Sequence, residues 1–239
     1  MKIALLGYGK MGRVIEQIAL DRGHEITARI DLLNKDERSN ITTETADAVI
    51  EFSSPHSAYD NLKYCMGNGL KTISGTTGWL EHRSEIETLC NKNNAAFFYA
   101  SNFSIGVNLF FKLNKQLAKL MNNQSGYELV TYEIHHTEKK DSPSGTAITL
   151  AEGIMEENTT KGKWINNELP ENNAEVPIWS SREGKVPGTH TIKYISDVDT
   201  IEMTHTAHSR QGFALGAVIA AEWLADKTGV RTMEEMLSE

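Results

Sequence analysis

The residues best suited to acid–base chemistry lie close together in the segment from Glu133 to Ala147. It contains adjacent imidazoles at His135 and His136 and the ammonium group of Lys139. Histidine can donate or accept a proton near neutral pH, and a nearby ammonium group disfavours a second positive charge and so promotes release of that proton. This segment is therefore suited to donating a proton and to binding a negatively charged ligand.

The same segment ends in a turn that favours the start of a helix. Pro143 fixes its own φ angle, and Ser144 is a suitable N-cap residue. Apolar residues then recur at helical spacing over residues 147–154. The backbone N–H groups of Gly145 and Thr146 would lie at the N-terminus of this helix, where anions bind well. Taken alone, the segment could also be a polar surface loop ahead of a helix.

A glycine-rich motif follows the first predicted strand. The apolar run of residues 2–6 leads into Gly7, Gly9 and Gly12, and apolar residues at helical spacing follow. In this GxGxxG pattern the first glycine permits a tight turn, the second lets a pyrophosphate approach the backbone, and the third lets the helix pack closely on the strand. The pattern predicts a dinucleotide site; the alternative is a well-packed turn that binds no ligand.

The acidic residue that ends the second predicted strand bears on the choice of dinucleotide. Asp31 follows the strand of residues 26–30, where its carboxylate would accept hydrogen bonds from ribose hydroxyls. A carboxylate there repels the 2′-phosphate of NADPH, whereas Lys35 and Arg38 could reach that phosphate. Both NADH and NADPH therefore remain candidate cofactors.

Strands and helices continue to alternate up to residue 104. Predicted strands at 47–52, 71–74 and 95–99 are separated by helical segments, which is typical of a Rossmann-type parallel sheet. Ligands of such sheets bind at the carboxyl ends of the strands. The loops of residues 75–78 and 100–104 fall at these ends, and we expect their backbone to line a flat cofactor ring. Ordinary loop chemistry is the alternative.

The pattern changes after residue 104. A long amphipathic helix is predicted at 105–121. Alternating segments then predict a smaller α+β domain with an open mixed or antiparallel sheet. These segments are residues 127–134, 178–182, 189–195 and 200–207. The polar insert at 156–177 is predicted to be a loop, mobile or in contact with a partner, without chemistry of its own.

An apolar helix predicted at 212–225 is expected to return to the first domain, which makes the linker near Arg210 a hinge. We therefore predict a dinucleotide-binding domain formed by residues 1–104 and 211–239. Residues 105–210 are predicted to form a substrate-binding and oligomerisation domain. Because the glycine motif and the histidine segment lie in different domains, we expect the domains to close during the reaction.

Composition excludes several other classes of function. The chain has 239 residues and a formal net charge of -8, which argues against nucleic acid or an anionic membrane as the main partner. No apolar run approaches the roughly 20 residues that a membrane span needs. Cys65 and Cys90 lie far apart and outside any metal-binding spacing, as in a protein with reduced thiols. We therefore expect a cytoplasmic protein that acts on a small molecule.

Five motifs together resemble the dihydrodipicolinate reductase family over nearly the whole chain. They are Gly7-Tyr8-Gly9-Lys10-Met11-Gly12-Arg13, Gly75-Thr76-Thr77-Gly78, residues 100–108, the pattern E-x-H-H-x-x-K-x-D-x-P-S-G-T-A at 133–147, and residues 204–214. Members of that family use NADH or NADPH to reduce 4-hydroxy-tetrahydrodipicolinate, a dicarboxylate, in the diaminopimelate route to lysine. They are usually homotetramers joined through the sheets of their second domains. The resemblance implies the same reaction and assembly here.

The resemblance also implies a role for each matching residue. His135 would be the general acid that protonates the ring as hydride arrives, with Lys139 a second acid that faces the substrate. His136 and Lys139, with the backbone and hydroxyl of Gly145 and Thr146, would hold the two carboxylates. The cofactor-binding residues would be Gly7, Tyr8, Gly9, Lys10, Met11, Gly12, Asp31, Gly75, Thr76, Thr77, Ala100, Ser101, Asn102, Phe103 and Arg210.

Three alternative hypotheses explain parts of the same sequence. A zinc site built from His135, His136 and His205 is disfavoured, because adjacent histidines on a strand point to opposite faces and no cysteine or carboxylate spacing completes the site. A dinucleotide-binding sensor without catalysis would keep the glycine motif but would not need the His-His-Lys cluster. The third alternative is another small two-domain dehydrogenase, acting on an amino or hydroxy acid.

Overall fold

The computed structural model describes residues 1–209 and 211–239. The chain divides into two compact units: Met1–Ile105 with Gln211–Glu239, and Gly106–Arg210. The strands are β1 Lys2–Leu6, β2 Glu25–Ile30, β3 Ala48–Glu51, β4 Lys71–Ser74, β5 Ala96–Tyr99, β6 Glu128–His135, β7 Lys163–Asn166, β8 Glu175–Arg182, β9 Gly188–Ile195, β10 Thr200–Ala207 and β11 Gly229–Arg231. The α-helices are α1 Lys10–Asp21, α2 Pro55–Gly67, α3 Arg83–Lys92, α4 Ile105–Met121, α5 Gly145–Glu157, α6 Gln211–Leu224 and α7 Met233–Met236.

The first unit is built on a parallel sheet of six strands in the order β11-β5-β4-β3-β1-β2. Four consecutive residues of β1, Ile3 to Leu6, are almost completely buried, as in a sheet covered on both faces. Helices α1 and α6 pack on one face of this sheet, and α2 and α3 pack on the other. Each face has its own apolar core. The predicted Rossmann-type sheet is confirmed.

The second unit contains a mixed sheet of five strands in the order β10-β9-β6-β8-β7. The central strand β6 runs antiparallel to β9 and parallel to β8. Burial alternates along β9, and its buried residues Ile192 and Tyr194 pack with residues of α4 and α5 in a third apolar core. The predicted α+β fold with an open mixed sheet is confirmed.

Two elements differ from the sequence analysis. The polar insert at 156–177 is not a loop throughout, because it contains β7 and the first residues of β8. Strand β7 pairs only with β8 at the sheet edge, where a strand needs few apolar residues, and its Trp164 packs against the core. The short strand β11, which pairs with β5, was not predicted, since three residues carry too little pattern.

Candidate functional site

The glycine motif forms the turn between β1 and α1. Gly7 has a φ of 96°, and a Cβ atom there would overlap the backbone carbonyl of Phe52. A Cβ atom on Gly12 would overlap the Gly7 carbonyl oxygen. At Gly9, the N-cap of α1, a Cβ atom would meet no atom within 4 Å. This helix end therefore has both the open space and the backbone N–H groups that an anion needs.

The other side chains of this motif differ in exposure. Lys10 is exposed, whereas Met11 is half-buried and packs against the apolar core. The hydroxyl of Tyr8 donates a hydrogen bond to Glu16, which also pairs with Arg29. These contacts hold the Tyr8 ring against α1, beside the glycine turn.

A cavity of about 810 Å³ lies next to the glycine motif, at the carboxyl ends of β1 to β3. Asp31 lines it, and the Asp31 Oδ1 atom accepts a hydrogen bond of 2.8 Å from the backbone of Leu33. Lys35 and Arg38 line the same cavity, and Arg38 donates to the Asn61 side chain at 2.9 Å. The cavity thus carries the carboxylates of Asp31, Asp36 and Asp60 together with two basic groups, in keeping with candidate sites for ribose and for phosphate.

The second and third predicted cofactor loops lie at the carboxyl ends of β4 and β5. A Cβ atom on Gly75 would overlap the Phe52 ring, so this position has no room for a side chain. The Phe103 side chain is only 1% exposed and packs against Phe52 in the apolar core. Phe103 therefore supports this loop from the side of the core. The two loops also contain the predicted cofactor residues Thr77, Ala100, Ser101 and Asn102. The Asn102 Oδ1 atom accepts a hydrogen bond of 2.9 Å from the backbone N–H of Ser104.

A buried carboxylate at the end of β3 joins these loops. Glu51 is 0% exposed and accepts hydrogen bonds from Ser74 Oγ at 2.7 Å, from Thr76 Oγ1 at 3.1 Å and from the backbone of Ser53 at 3.1 Å. Burial raises the pKa of Glu51, although these donors oppose the rise. The predicted cofactor residue Thr76 thus has its hydroxyl turned to Glu51.

His135 is the last residue of β6, and its ring faces the interior of the second unit. Its Nδ1 atom lies 3.1 Å from the carbonyl oxygen of Pro187. Because a carbonyl oxygen can only accept, the Nδ1 atom carries the proton of the neutral ring, and the Nε2 atom holds the free lone pair. That Nε2 atom lies 3.4 Å from the Nε2 atom of His190. A proton that His135 gives to a substrate therefore has to come from its Nε2 atom.

The charge of His135 is set by its surroundings. Burial, together with the positive charges that His190 and Lys139 can carry, lowers the pKa of His135 to about 4. Glu133 acts in the opposite direction. In the absence of ligand, His135 is consequently neutral at pH 7.

Glu133 lies on the same buried face of β6 as His135, two residues earlier. Both Glu133 carboxylate oxygens are 3.1 Å from the backbone nitrogen of Ser144, and Oε1 is 3.2 Å from each of two guanidinium nitrogens of Arg182. Burial alone would raise the pKa of Glu133, but the facing His190 and Ser144 groups outweigh it and lower this pKa below its ordinary value. Glu133 is therefore an ionised, fully buried carboxylate.

Glu133, His135 and His190 are the described residues that come close enough together to ligate a metal ion. This set differs from the zinc alternative in the sequence analysis, because His136 and His205 are not part of it. Residues two apart on a strand share a face, so His135 and Glu133 lie on the same face of β6. The register of β6 with β9 places His190 opposite Glu133. Arg182 already balances the negative charge of Glu133, so the cluster does not need a cation to neutralise it.

The remaining residues of the histidine segment lie beyond the end of β6. His136 and Lys139 are half-buried, and the Lys139 Nζ atom pairs with Asp141 at 2.8 Å. Ser144 caps α5 as predicted, with its Oγ atom accepting from the backbone of Ala147 at 3.2 Å. A Cβ atom on Gly145 would meet no atom within 4 Å, so the start of α5 is open to a ligand.

Four residues that support the predicted cofactor loops or the histidine segment have no role in the predictions made from the sequence. They are Glu51, Glu133, Arg182 and His190. Glu133 had a readable signal, since it lies two residues before His135 in a predicted strand and so on the same face. The others depend on strand pairing that the sequence does not display. The predicted cofactor residue Arg210 lies outside the described residues.

A Rossmann-type unit with a glycine turn, and a second unit that presents a histidine cluster beside a helix N-terminus, define a two-domain α/β protein of the dinucleotide-binding class. Residues 1–103 match the family model described as dihydrodipicolinate reductase, N-terminus, and residues 106–237 match dihydrodipicolinate reductase, C-terminus. The chain belongs to the dihydrodipicolinate reductase family.

Curated relatives align over the full length of the chain. A 4-hydroxy-tetrahydrodipicolinate reductase of Christiangramia forsetii is 49% identical over 239 residues, which is 100% of this chain and 98% of the relative. The enzyme of the same name from Archaeoglobus fulgidus is 33% identical and covers 99% of this chain and 100% of its own. The fold is also shared with a dipicolinate-bound dihydrodipicolinate reductase from Paenisporosarcina sp. TG-14, with a TM-score of 0.82, 22% identity and 97% coverage of both chains.

Proposed function

We propose that this chain catalyses the NAD(P)H-dependent reduction of 4-hydroxy-tetrahydrodipicolinate to tetrahydrodipicolinate, in the diaminopimelate route to lysine; hydride and a proton are added, and the 4-hydroxy group leaves as water. The observation that carries the proposal is the full-length relationship, at 49% identity, to an enzyme named for this reaction. The glycine turn and the histidine cluster supply the two kinds of group that the reaction requires: a dinucleotide site and a proton donor beside an anion site.

The substrate is a small dicarboxylate, and the second unit has the groups to hold one. The solved relative of the same fold has dipicolinate bound. In this chain, we assign carboxylate binding to His136, Lys139 and the start of α5 at Gly145 and Thr146. The open space at Gly145 and the unpaired backbone N–H groups of a helix N-terminus support this assignment.

We assign the general acid to His135, with Lys139 as a second acid. His135 is neutral at pH 7 without ligand, so its proton has to be acquired when the substrate binds. Two substrate carboxylates bring negative charge close to the ring, and opposite charge raises the pKa of a histidine. The substrate thus promotes protonation of His135 at its Nε2 atom, and that proton then passes to the reduced substrate.

The first unit fits a dinucleotide in its glycine turn and in the cavity beside it. A bound NADH or NADPH would supply the hydride. Gly9 leaves room for its pyrophosphate in the tight turn that Gly7 and Gly12 permit. Asp31 would accept from its ribose, and the backbone of residues 75–77 and 100–103 would line its nicotinamide. Lys35 and Arg38 line the same cavity and would favour the 2′-phosphate of NADPH. Arg210 remains a proposed cofactor contact.

We further propose a cytoplasmic homotetramer, with residues 1–104 and 211–239 as the dinucleotide-binding domain and 105–210 as the domain for substrate and assembly. Among the described residues of the second unit, helices α4 and α5 pack on one face of its sheet, and Tyr132 on the other face is 40% exposed. This uncovered face supports assembly through the sheet. Among the described residues, no helix is both long and apolar enough to cross a membrane.

The first prediction tests the reaction itself. The condensation product that precedes this step is generated in place, and the absorbance of NADH and of NADPH is followed separately at 340 nm. We expect oxidation of at least one cofactor that depends on both the enzyme and the substrate. If neither cofactor is oxidised although dinucleotide binding is detected by fluorescence, the chain is a dinucleotide-binding sensor and the reductase proposal is wrong.

A further inference from the structure

We propose that Glu133 is a positioning residue: it acts through His135 and Ser144 to hold the proton donor and the anion-binding helix end in one fixed arrangement. Arg182 and His190 complete this arrangement, which we call the Glu133 cluster. The part of the inference that concerns turnover rests on the proposed function. The part that concerns the state of the His135 ring does not.

The burial of Glu133 is the first argument. Its side chain is 0% exposed on the central strand β6, and an ionised carboxylate in such a place is stable only with close partners. Arg182 on β8 supplies the opposite charge, at 3.2 Å. Removing Glu133 would leave the Arg182 guanidinium without this partner. A buried pair of this kind is weak evidence for stability but fixes the geometry around it.

Glu133 reaches the anion-binding helix through Ser144. Both carboxylate oxygens accept from the backbone N–H of Ser144, which is the N-cap residue of α5. The first residues of α5 are Gly145 and Thr146, which we assign to the substrate carboxylates. The position of these N–H groups relative to β6 therefore depends on Glu133.

Glu133 reaches the proton donor through space. Its Oε2 atom lies 3.6 Å from the Nε2 atom of His135, which is too long for a good hydrogen bond but close for two charges. The hydrogen bond from His135 Nδ1 to Pro187 keeps the ring in this orientation, with Nε2 towards Glu133. A Cβ atom on Gly188 would come within 2.8 Å of the His135 ring, so the ring also has little space to turn.

The charged and titratable groups that face His135 have opposite effects on it. Glu133, on the same strand, favours the protonated ring. His190 on β9 and Lys139 from the loop after β6 disfavour it. Arg182 on β8 pairs with Glu133 and lies next to His135 in the register of the two strands. Glu133 is thus the one negative group of this set, and its removal and the removal of His190 should have opposite consequences.

The second prediction uses that opposition, with three variants. Glu133→Gln keeps the shape of the side chain and removes its charge. His190→Gln removes a ring that can become positive and keeps a donor towards Ser144. Glu175→Gln is the matched control, since Glu175 is also a buried glutamate of the second unit but pairs with Lys163 instead of the cluster. Imidazole ¹⁵N shifts of His135 and the pH profile of kcat/KM are measured for each variant.

We expect Glu133→Gln to lower the pKa of His135 by about one unit or more, since an opposite charge within a few ångströms shifts a pKa by roughly one to three units. The descending limb of kcat/KM should move to lower pH, with about a tenfold loss at pH 7 for each unit. His190→Gln should move the same limb to higher pH, and Glu175→Gln should leave it in place. Glu133→Asp, which restores the charge, should recover part of the loss.

Two results would overturn the inference. One is a His135 ring with unchanged ¹⁵N shifts and an unchanged profile in Glu133→Gln. The other is the same shift in Glu175→Gln, which would show a general effect on the fold. If Glu133→Gln does not fold, Glu133→Asp decides the question, because it keeps the charge but withdraws the carboxylate from His135 and Ser144; unchanged ¹⁵N shifts of His135 in that variant would also overturn the inference. The ¹⁵N shifts need no turnover, so a chain without reductase activity would sink the proposed function while this test still gives an answer.

Discussion

At the scale of single residues, His135 is distinguished by the fact that both of its ring nitrogens face protein atoms, the Pro187 carbonyl on one side and the Glu133 cluster on the other. The residue type and its spacing predict a proton donor at this position but do not predict its protonation state. The low pKa of His135 depends on burial and on the neighbouring strand β9, which only the folded chain provides.

Lys139 provides the third prediction. Lys139→Ala should lower kcat/KM by about 10²- to 10⁴-fold, because a positioned acid and a carboxylate-binding charge are lost together. Lys140→Ala is the control, since Lys140 is the exposed next residue and has the same side chain. The measurement is initial-rate kinetics at saturating cofactor. Equal losses in both variants would indicate a general electrostatic effect and contradict a specific role for Lys139.

Glu51 provides the fourth prediction, on stability against pH. Its folded-state pKa is raised by burial, so the folded chain binds the Glu51 proton more tightly than the unfolded chain does. The resulting stability is present below the unfolded pKa and is lost as the pH rises through the folded pKa. Glu51→Gln should remove this dependence, because an amide does not titrate. The hydrogen bonds at this position can be kept, since the amide nitrogen can donate to Ser74 while the amide oxygen accepts from Ser53 and Thr76.

This prediction is checked by urea unfolding of both proteins between pH 4 and 8. The decline of the unfolding free energy with rising pH should be smaller in Glu51→Gln than in the parent chain. Glu44→Gln, at an exposed position of the same unit, serves as control. Parallel pH curves for the parent and Glu51→Gln would show that Glu51 does not titrate in this range.

At the scale of elements, the βα repeat was readable because each element carries its own period and its own end signals. The bounds of α4 and β10 agree with the predicted 105–121 and 200–207. Elements held mainly by pairing were not predicted: β7 has four residues, none of them fully buried, and β11 has three. Their hydrogen-bonding partners come from elsewhere in the chain, so local pattern contains little trace of them.

The turn between β1 and α1 provides the fifth prediction. Gly12→Ala should destabilise the chain by about 1–3 kcal/mol and weaken dinucleotide binding, because the new Cβ atom overlaps the Gly7 carbonyl and forces α1 away from β1. Gly67→Ala in α2 is the matched control, since a Cβ atom there meets no atom within 4 Å. It should be neutral or stabilise by up to about 1 kcal/mol.

Chemical denaturation and a fluorescence titration with NADH measure the two effects. Loss of binding in Gly12→Ala without loss of stability would place the damage at the cofactor alone. Full binding and full stability would show that the turn tolerates a side chain, which contradicts the close approach of Gly12 to Gly7.

At the scale of the whole molecule, the two units differ in how much of their function is local in sequence. In the first unit, the residues proposed to bind the pyrophosphate are contiguous from Gly7 to Gly12. In the second unit, the Glu133 cluster draws on β6, β8, β9 and the N-cap of α5. A contiguous motif can be recognised from sequence, whereas a cluster assembled from separate strands requires their register.

The sequence by itself determined the order of helices and strands, the glycine turn and the segment with His135, His136 and Lys139, because each of these depends on neighbouring residues and their local backbone preferences. Tertiary structure alone decided which groups surround them. Pairing of β6 with β9 sets His190 opposite Glu133, and pairing of β6 with β8 sets Arg182 beside His135. The physical reason is that cross-strand register follows from backbone hydrogen bonds and burial summed over whole strands, so no short segment encodes it.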